Sequence, residues 1–321
     1  MLITRRGALG AAAGLAAGLA TGTSQAAQPL AGRQAPTFYR YKVGEFEVTA
    51  INDGVAYRPL DGFIRNAPVE ELRKVLGDAF MAQDRVAIPF TSLVVNTGKQ
   101  LILLDSGNGD MGAPTTGSWM ANFRAAGFDP ANVDAVVISH FHGDHINGLR
   151  LKDGTAVFPK AEIMVSATEW NFWMDDTTMA TASEGLKGNF QNVRRVFGPI
   201  AKDVTRYAWD KEILPGITAI GAPGHTPGHT AFAVHSGAAR FMMMSDLTNN
   251  TAIFVRRPDW QAIVDMDGDI ARATRHRMLD MAASEKMQVA FYHAPFPATG
   301  YIARDGAGAY QLAPVFWQAP A

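Results

Sequence analysis

The sequence feature that most constrains the fold is a short run of histidine and aspartate residues that directly follows an apolar stretch. Residues 133–139 read VDAVVIS, the composition of a strand that is buried on both faces. Residues 140–145 then read HFHGDH, so that three His and one Asp stand within six positions. Ligands are usually held at the carboxyl edge of such a sheet. The run therefore predicts a metal site at the end of a buried strand.

The spacing within this run predicts ligands for two ions. His140 and His142 are two positions apart, so in an extended or tightly turned segment their side chains point the same way and can bind one ion. Gly143 permits a turn with positive φ, which directs Asp144 and His145 toward a second ion nearby. Imidazole nitrogen and carboxylate oxygen without sulfur suit Zn²⁺ best, with Mn²⁺, Fe²⁺ and Co²⁺ as alternatives.

The composition excludes several other kinds of site and partner. The 321-residue chain is 47% hydrophobic and 18% charged, which is typical of a folded chain with a sizeable core. It contains no Cys, which excludes a disulfide scaffold, a Cys-zinc site, an iron–sulfur cluster and a thiol nucleophile. Its 29 Lys and Arg balance 30 Asp and Glu without a basic run, so we expect a small-molecule substrate and no nucleic-acid partner.

Residues 1–27 read as an export signal rather than as part of the fold. A pair of arginines at 5–6 precedes an apolar run over residues 7–20, and small residues end the segment. The arginine pair resembles a twin-arginine signal, so we expect cleavage after Ala26 or Ala27 and a periplasmic or secreted product. As a helix, the apolar run would span about 21 Å, which is too short for a hydrocarbon core of roughly 30 Å. No stable membrane insertion is therefore expected after cleavage.

The rest of the chain alternates strand and helix signals and contains a coarse repeat. Residues 91–104 predict a hairpin, and residues 269–286 predict a long helix. Asn52-Asp53-Gly54 is expected to form a turn between strands. Hairpins, a strand that ends in ligand-type residues and a helix occur twice along the chain. We therefore expect an α/β fold in which two mixed sheets share one interior with helices outside, as a single domain over residues 28–321.

Aromatic residues gather on both sides of the histidine run. Trp119 precedes the run, and Trp170, Phe172 and Trp173 follow it within a few positions of one another. These residues predict an apolar lip that would hold an aryl or acyl group of a substrate. The alternative is that they pack in the core, because aromatic residues at helical spacing often do so.

Further ligand-type residues follow the histidine run in an order that resembles a known family. His225 stands between a glycine and a threonine, Asp246 follows an apolar stretch, and His293 follows the last apolar stretch. Together with residues 140–145, their order and spacing are similar to those of the hydrolases of the metallo-β-lactamase fold. The resemblance covers essentially the whole chain after the signal. The sequence FYHAPFP at 291–297 further resembles the methyl parathion hydrolase branch of that superfamily.

The resemblance implies an αββα sandwich with a site for two divalent ions. Its ligands would be His140, His142 and His225 for the first ion, Asp144, His145 and His293 for the second, and Asp246 as a bridge. Asp144 and Asp246 are then the carboxylates expected to take part in catalysis. We expect His229 to orient a neighbouring ligand through a hydrogen bond, whereas Asp105 is either an acceptor for a ligand imidazole or a simple turn residue.

The function that the resemblance implies is that of a hydrolase that cleaves a lactone, an aryl ester or a phosphotriester, and the signal at residues 1–27 predicts that it is exported. A hydroxide that bridges the two ions would attack, because each ion lowers the pKa of bound water toward about 7. A β-lactamase is an alternative, although its bridging position usually carries Cys or Ser rather than the Asp of this chain. A thioesterase, which is normally cytosolic, and an iron oxidoreductase are further alternatives on the same fold. The protein is expected to be a monomer or a homodimer.

Overall fold

The computed structural model describes residues 28, 30–306 and 308–318. The predicted export signal over residues 1–27 lies outside the described residues and stays a prediction. Pro36–Ala321 forms one compact unit. Across the part of the chain that the structure describes, no helix combines the length and apolar character needed to cross a membrane.

Two seven-stranded sheets form the centre of the Pro36–Ala321 unit, and each holds its strands in chain order. The first sheet contains β1 (Phe38–Val43), β2 (Phe46–Arg58), β3 (Val86–Asn96), β4 (Leu101–Leu104), β5 (Ala135–Ile138), β6 (Glu162–Ser166) and β7 (Thr205–Tyr207). The second contains β8 (Lys211–Leu214), β9 (Ile217–Gly221), β10 (Thr230–Ser236), β11 (Ala239–Met243), β12 (Gln288–Ala290), β13 (Thr299–Arg304) and β14 (Tyr310–Pro314). Both sheets are mixed: strands β4 to β7 are parallel, β11 is parallel to β12, and the other neighbours are antiparallel.

Helices occupy the connections between these strands. The α-helices within the described residues are α1 (Val69–Asp78), α2 (Trp119–Ala125), α3 (Gly143–Ile146), α4 (Ala167–Trp173), α5 (Asp176–Thr181), α6 (Glu184–Phe197), α7 (Thr251–Phe254) and α8 (Gly268–Glu285). Short 3₁₀ turns span Pro130–Asn132, Asn147–Leu149, Gly198–Ile200 and Ser245–Leu247. The predicted helix over 269–286 is confirmed as α8, which begins after Asp267, whose side chain accepts hydrogen bonds from two backbone N–H groups of the first turn.

Alternation along the strands divides the apolar side chains between two faces of each sheet. In β3, Leu93 and Val95 pack into a core shared with Phe232 and Phe241 of the second sheet. Val94 points the other way, into a core that the first sheet shares with its outer helices. A third core joins the second sheet to α8 through Met278. These three cores separate four layers, so the expected αββα sandwich with two mixed sheets is confirmed.

The predicted hairpin over 91–104 is confirmed, whereas the expected turn at Asn52-Asp53-Gly54 is wrong. Strand β2 continues through these residues, and its register against β3 shifts between Asn52 and Gly54, which marks a bulge. Asp53 is fully buried there, and its carboxylate accepts hydrogen bonds from the backbone N–H groups of Asn108 and Trp119. Asn52, Asp53 and Gly54 are residue types that often form turns, but here they form a bulge within a strand. The buried carboxylate of Asp53 anchors the loop that leads into α2.

Close backbone packing beneath the histidine run makes Gly148 sensitive to substitution. A Cβ atom at Gly148 would lie 1.8 Å from the backbone oxygen of Ser106. Ser106 cannot easily move away, because its N–H and Oγ both donate to the backbone oxygen of His145. We expect Gly148→Ala to lower the free energy of unfolding by about 1–3 kcal/mol, as overpacking typically does, and urea unfolding measures the loss.

The matched control for this substitution is Gly188→Ala in α6. A Cβ atom at Gly188 would have no neighbour within 4 Å, and alanine favours a helix interior over glycine by about 0.5–1 kcal/mol. The control should therefore leave the unfolding midpoint unchanged or raise it. An unchanged midpoint for Gly148→Ala would contradict the packing argument.

Candidate metal centre

The seven predicted ligands meet at one edge of the two sheets, because each follows the end of a strand. They are His140 and His142 after β5, Asp144 and His145 in α3, His225 after β9, Asp246 after β11 and His293 after β12. Two backbone features help to place them. Ser245, directly before Asp246, has a φ of 46°, and Gly224, directly before His225, has a φ of 123°. A Cβ atom at Gly224 would lie 2.1 Å from the backbone nitrogen of Ala271, so only glycine fits there.

Four of these side chains form the first ligand group, which consists of His140, His142, His225 and Asp246. One ligand atom from each lies within 4.8 Å of the others. The Nδ1 atom of His142 is 3.0 Å from Nε2 of His140 and 2.9 Å from Nε2 of His225. The Nε2 atom of His225 is also 3.2 Å from Oδ2 of Asp246. Three imidazole nitrogens and one carboxylate oxygen thus converge on one point.

The second ligand group consists of Asp144, His145, Asp246 and His293, and it shares Asp246 with the first. The Nε2 atom of His293 is 2.9 Å from Oδ2 of Asp246 and 3.4 Å from Oδ2 of Asp144. The Nε2 atom of His145 is 3.3 Å from Oδ2 of Asp144 and 3.2 Å from Oδ1 of Asp246. Asp246 therefore contacts both groups, which is the arrangement expected of a bridging ligand.

These donor atoms fit metal ions better than they fit one another. Nε2 of His145 and Oδ1 of Asp246 are buried and have no hydrogen-bond partner, although unpaired buried polar atoms are costly. Zinc–ligand bonds of about 2.0–2.1 Å at tetrahedral angles place neighbouring ligand atoms roughly 3.3 Å apart, close to the separations observed. The two groups could hold two metal ions, with Asp246 between them.

The ionisation of two of the three imidazoles in the first ligand group, those of His140 and His142, also fits the binding of a cation there. Burial, together with neighbouring His225, lowers the pKa of His142 to about 3, and burial with His145 lowers the pKa of His140. Both rings are therefore neutral near pH 7 and present a lone pair. Burial opposes a charge on His225 as well, but hydrogen bonds to Asp246 and Asp265 outweigh it and raise the pKa of His225 to about 9.

The outer nitrogen of most of the ligand imidazoles meets an oxygen, which leaves the inner nitrogen free for an ion. These contacts join Nδ1 of His140 to Oγ of Ser139 at 3.0 Å, of His145 to Oδ2 of Asp105 at 2.8 Å, of His225 to Oδ1 of Asp265 at 3.0 Å, and of His293 to the backbone oxygen of Pro89 at 2.7 Å. Such outer contacts fix the tautomer and the orientation of a ligand ring.

The structure places both residues that were expected to support the ligands beside them. Asp105 has a φ of 63°, and its carboxylate accepts from Nδ1 of His145 and from the backbone N–H of Ser139. His229 donates from Nδ1 to the backbone oxygen of Ala222, and its Nε2 accepts from the backbone N–H of Asp246. Asp105 thus accepts a hydrogen bond from a ligand imidazole, and His229 holds the backbone of Asp246.

The predicted aromatic lip is wrong, because Trp119, Trp170, Phe172 and Trp173 pack in the core between the first sheet and its outer helices. The side chains of Trp119, Trp170 and Trp173 are buried, and Phe172 packs against the same cluster. The indole N–H of Trp173 donates to buried Glu169, which holds the ring inward. The alternative interpretation, that these four aromatic residues pack in the core, is therefore confirmed.

The sequence interpretation missed three buried groups that support the ligand loops. Glu169 accepts from the backbone N–H groups of Phe141 and Gly228, so it ties the histidine run to the loop that carries His225. Asp265 contacts His225, and the hydroxyl of Tyr292 donates to the backbone oxygen of Asp144 at 2.6 Å. Neither acid lies in a recognisable motif. Tyr292 directly precedes a predicted ligand, which was the available signal.

A cavity of about 960 Å³ opens directly onto the two ligand groups. His142, Asp144, Asp246 and His293 form part of its wall. The remaining wall combines apolar side chains, carboxamides and charged side chains, including Phe63, Ile88, Phe90, Ile263, Met266, Asn108, Asn147, Asn189, Asn249, Arg58, Asp61, Arg65 and Asp265. The site can therefore hold a ligand that has both an apolar part and polar groups beside the ligand atoms.

Removal of metal should destabilise the protein through the shared carboxylate. Ions that bind only the folded chain stabilise it by about 4 kcal/mol when their free concentration is 1,000-fold above Kd. We expect EDTA to lower the Tm of the metal-loaded protein and to have little effect on Asp246→Ala, because that variant lacks a ligand in both groups. Calorimetry and metal analysis measure the two effects.

The control is His276→Ala, at a histidine outside both groups that contacts exposed Asp259. A full EDTA response in Asp246→Ala would contradict the bridging role.

Comparison with known proteins gives the same assignment of the fold. Residues 87–293 match the model of the metallo-beta-lactamase superfamily. The solved structure of the hydrolase AbOPH, in the beta lactamase superfamily, has a TM-score of 0.84 and 26% identity over 89% of this chain and 100% of its own. AidC, a dizinc quorum-quenching lactonase in complex with the product N-hexanoyl-L-homoserine, has a TM-score of 0.83 and 29% identity over 88% of this chain and 99% of its own.

Curated relatives match over a shorter segment. The N-acyl homoserine lactonase AttM of Agrobacterium fabrum is 31% identical over 120 residues, which span 35% of this chain and 39% of that protein. A probable metallo-hydrolase of Mycobacterium tuberculosis is 28% identical over 116 residues, which span 35% of this chain and 36% of that protein. The alignments thus span well under half of these relatives. The superfamily model, in contrast, matches most of the chain and includes all seven ligand positions, so the chain belongs to the metallo-β-lactamase superfamily.

Proposed function

We propose that this member of the superfamily is a hydrolase that uses two metal ions to cleave ester-like bonds, and that lactones with an acyl chain are its principal substrates. The observation that carries the proposal is that both ligand groups face a cavity whose wall is partly apolar. Aryl esters and phosphotriesters also have an electrophilic carbon or phosphorus bonded to an oxygen leaving group. They are therefore included as substrates of the same chemistry.

The chain offers a complete set of side chains for this chemistry. We propose that the first ligand group and the second ligand group each hold one ion, with Zn²⁺ favoured by the donor set of nitrogen and oxygen without sulfur. Two such ions, when bound, would supply a strong nucleophile from water at neutral pH and would polarise the carbonyl or phosphoryl oxygen, so that the carbon or phosphorus bonded to it is more readily attacked. Asp246 fixes the separation of the two groups, and Asp144, which lines the cavity, is the second carboxylate that we propose to be catalytic.

The cavity wall supports a substrate that carries an apolar chain. Phe63, Ile88 and Phe90 are largely buried side chains of this wall, and Ile263 and Val264 are partly exposed there. Burial of apolar surface contributes about 25 cal/mol per Å², so an acyl chain laid along this wall gains affinity that a short ester does not. The names of two relatives, the lactonases AidC and AttM, agree with a lactone that carries such a chain.

The proposed cellular location rests only on the sequence of residues 1–27. The arginine pair and the short apolar run that follows it support export by a twin-arginine route, and hence activity in the periplasm or outside the cell. Such a route carries folded proteins, which suits an enzyme whose ligands come from distant parts of the chain.

The substrate class can be tested with a panel of hydrolysable compounds. The mature chain, loaded with Zn²⁺ and analysed for metal content, would be assayed with N-acyl homoserine lactones, simple γ-lactones, a p-nitrophenyl ester, a methyl phosphotriester, a β-lactam and a thioester. We expect two ions per chain and the highest kcat/KM for the acylated lactones, with no turnover by Asp246→Ala. Turnover of the β-lactam or the thioester alone, or full activity with fewer than two ions, would contradict the proposal.

Asn249 is expected to select substrates that carry an amide. It lines the cavity three positions after Asp246, and its side-chain oxygen is buried without a hydrogen-bond partner. A neutral hydrogen bond contributes about 0.5–1.5 kcal/mol, so Asn249→Ala should lower kcat/KM for an N-acyl homoserine lactone roughly two- to tenfold. The loss should be smaller for a γ-lactone without an amide, measured on the same preparation. Equal losses for both substrates would show that Asn249 does not contact the amide.

A further inference from the structure

We propose that Arg275 and Asp265 form a buried positioning pair that sets the orientation of His225 and thereby the affinity of the first ligand group for its ion. The inference rests on the proposed function, because it presumes that the first ligand group holds a metal. Both side chains are about 1% exposed, and Nη2 of Arg275 lies 3.2 Å from Oδ2 of Asp265. Neither residue belongs to the ligand set itself.

Asp265 connects the pair to the imidazole of His225. Its Oδ1 accepts from Nδ1 of His225 at 3.0 Å, and its Oδ2 accepts from Arg275 and from the backbone N–H of Ala262. Because both oxygens are engaged, the carboxylate cannot rotate freely. The proton of His225 is thereby held on Nδ1, and Nε2 is directed at His142 and Asp246.

Arg275 also fixes the turn that carries the shared carboxylate. Its Nε donates at 2.9 Å to the backbone oxygen of Leu247, the residue directly after Asp246. Its Nη1 donates to the backbone oxygens of Pro258 and Trp260 at 3.0 and 2.7 Å. A guanidinium is costly to bury unless its donors are satisfied, and here four hydrogen bonds engage its three nitrogens. Arg275 thus contacts both Asp265, which binds His225, and the backbone of Leu247, which follows Asp246.

Apart from Asp246, which both groups share, the members of the second ligand group are supported by other residues, so the effect of the pair falls mainly on the first group. His145 donates to Asp105, His293 contacts the backbone oxygen of Pro89, and Tyr292 holds the backbone of Asp144. None of these contacts includes Arg275 or Asp265. Loss of the pair should therefore weaken the first ligand group more than the second.

The test compares zinc affinities of the full mature chain with those of Arg275→Met, Asp265→Asn and the double variant. Competition with a chelator gives two dissociation constants, and His293→Ala, which removes a member of the second ligand group, identifies the constant that belongs to that group. We expect the first constant to rise about 10- to 100-fold in the double variant, as is typical when a group behind a metal ligand is lost, while the second changes less than about threefold. His276→Ala, one position further along α8 and half-exposed, should leave both constants unchanged.

The double variant keeps the test decisive if a single variant fails to fold. Removal of one partner leaves an unpaired buried charge, whereas removal of both leaves a neutral interior that is often as stable as the original pair. If the folded double variant binds both ions as tightly as the wild type, or weakens both sites equally, the positioning role is overturned.

The same measurements separate failure of this inference from failure of the proposed function. A wild-type chain with fewer than two ions, or without ester turnover, contradicts the proposed function. If one ion still binds, the zinc dissociation constant of that ion in the wild type is compared with its value in the double variant, and this comparison tests the role of the pair. A wild-type chain that binds no ion overturns both.

Discussion

The carboxylate of Asp246 lies between two groups of converging imidazole nitrogens, and much of the structure serves to hold it there. It is almost fully buried, and its oxygens face His145, His225 and His293 at distances between 2.9 and 3.2 Å. Its backbone N–H donates to His229, and the residue before it adopts a left-handed conformation that side chains rarely favour. A carboxylate is costly to bury without compensation, and here imidazole nitrogens of both ligand groups face its oxygens.

Buried acids connect the ligand loops to one another. Asp105 joins the end of β5 to His145, Glu169 joins the histidine run to the loop around Gly228, and Asp265 joins His225 to Arg275. The partners of Glu169 and of Asp265 are distant from one another in sequence, and the partners of Asp105 lie more than thirty positions after it. The ligands are therefore positioned by a rigid polar network rather than by the loops alone, as precise binding geometry requires.

Local patterns in the sequence predicted the layers and the four ligand-type residues of the histidine run, and the resemblance to a known family supplied His225, Asp246 and His293. Neither predicted the partners that a side chain finds at long range. The apolar runs of β4 and β5 and the dense histidine run were informative, because burial and metal chemistry both leave a short-range signature. The Asn52–Gly54 segment and the aromatic residues near Trp173 were misread, because a bulge resembles a turn and a core stripe resembles a pocket wall until the opposing layer is known. Arg275 carried an unused signal: it stands on the face of α8 that otherwise buries Ala271 and Met278, and a charge on such a face needs a partner.

The two sheets follow one another along the chain, and this order has a consequence for assembly. Each ligand group takes two members from the half of the chain that forms the first sheet and two from the half that forms the second. Neither half can complete a coordination shell alone, so an ion can be captured only after the two sheets have docked through their common interior. Ions bound at the two groups would thus report that both halves have come together, and they would join the two sheets at the edge where the ligands lie.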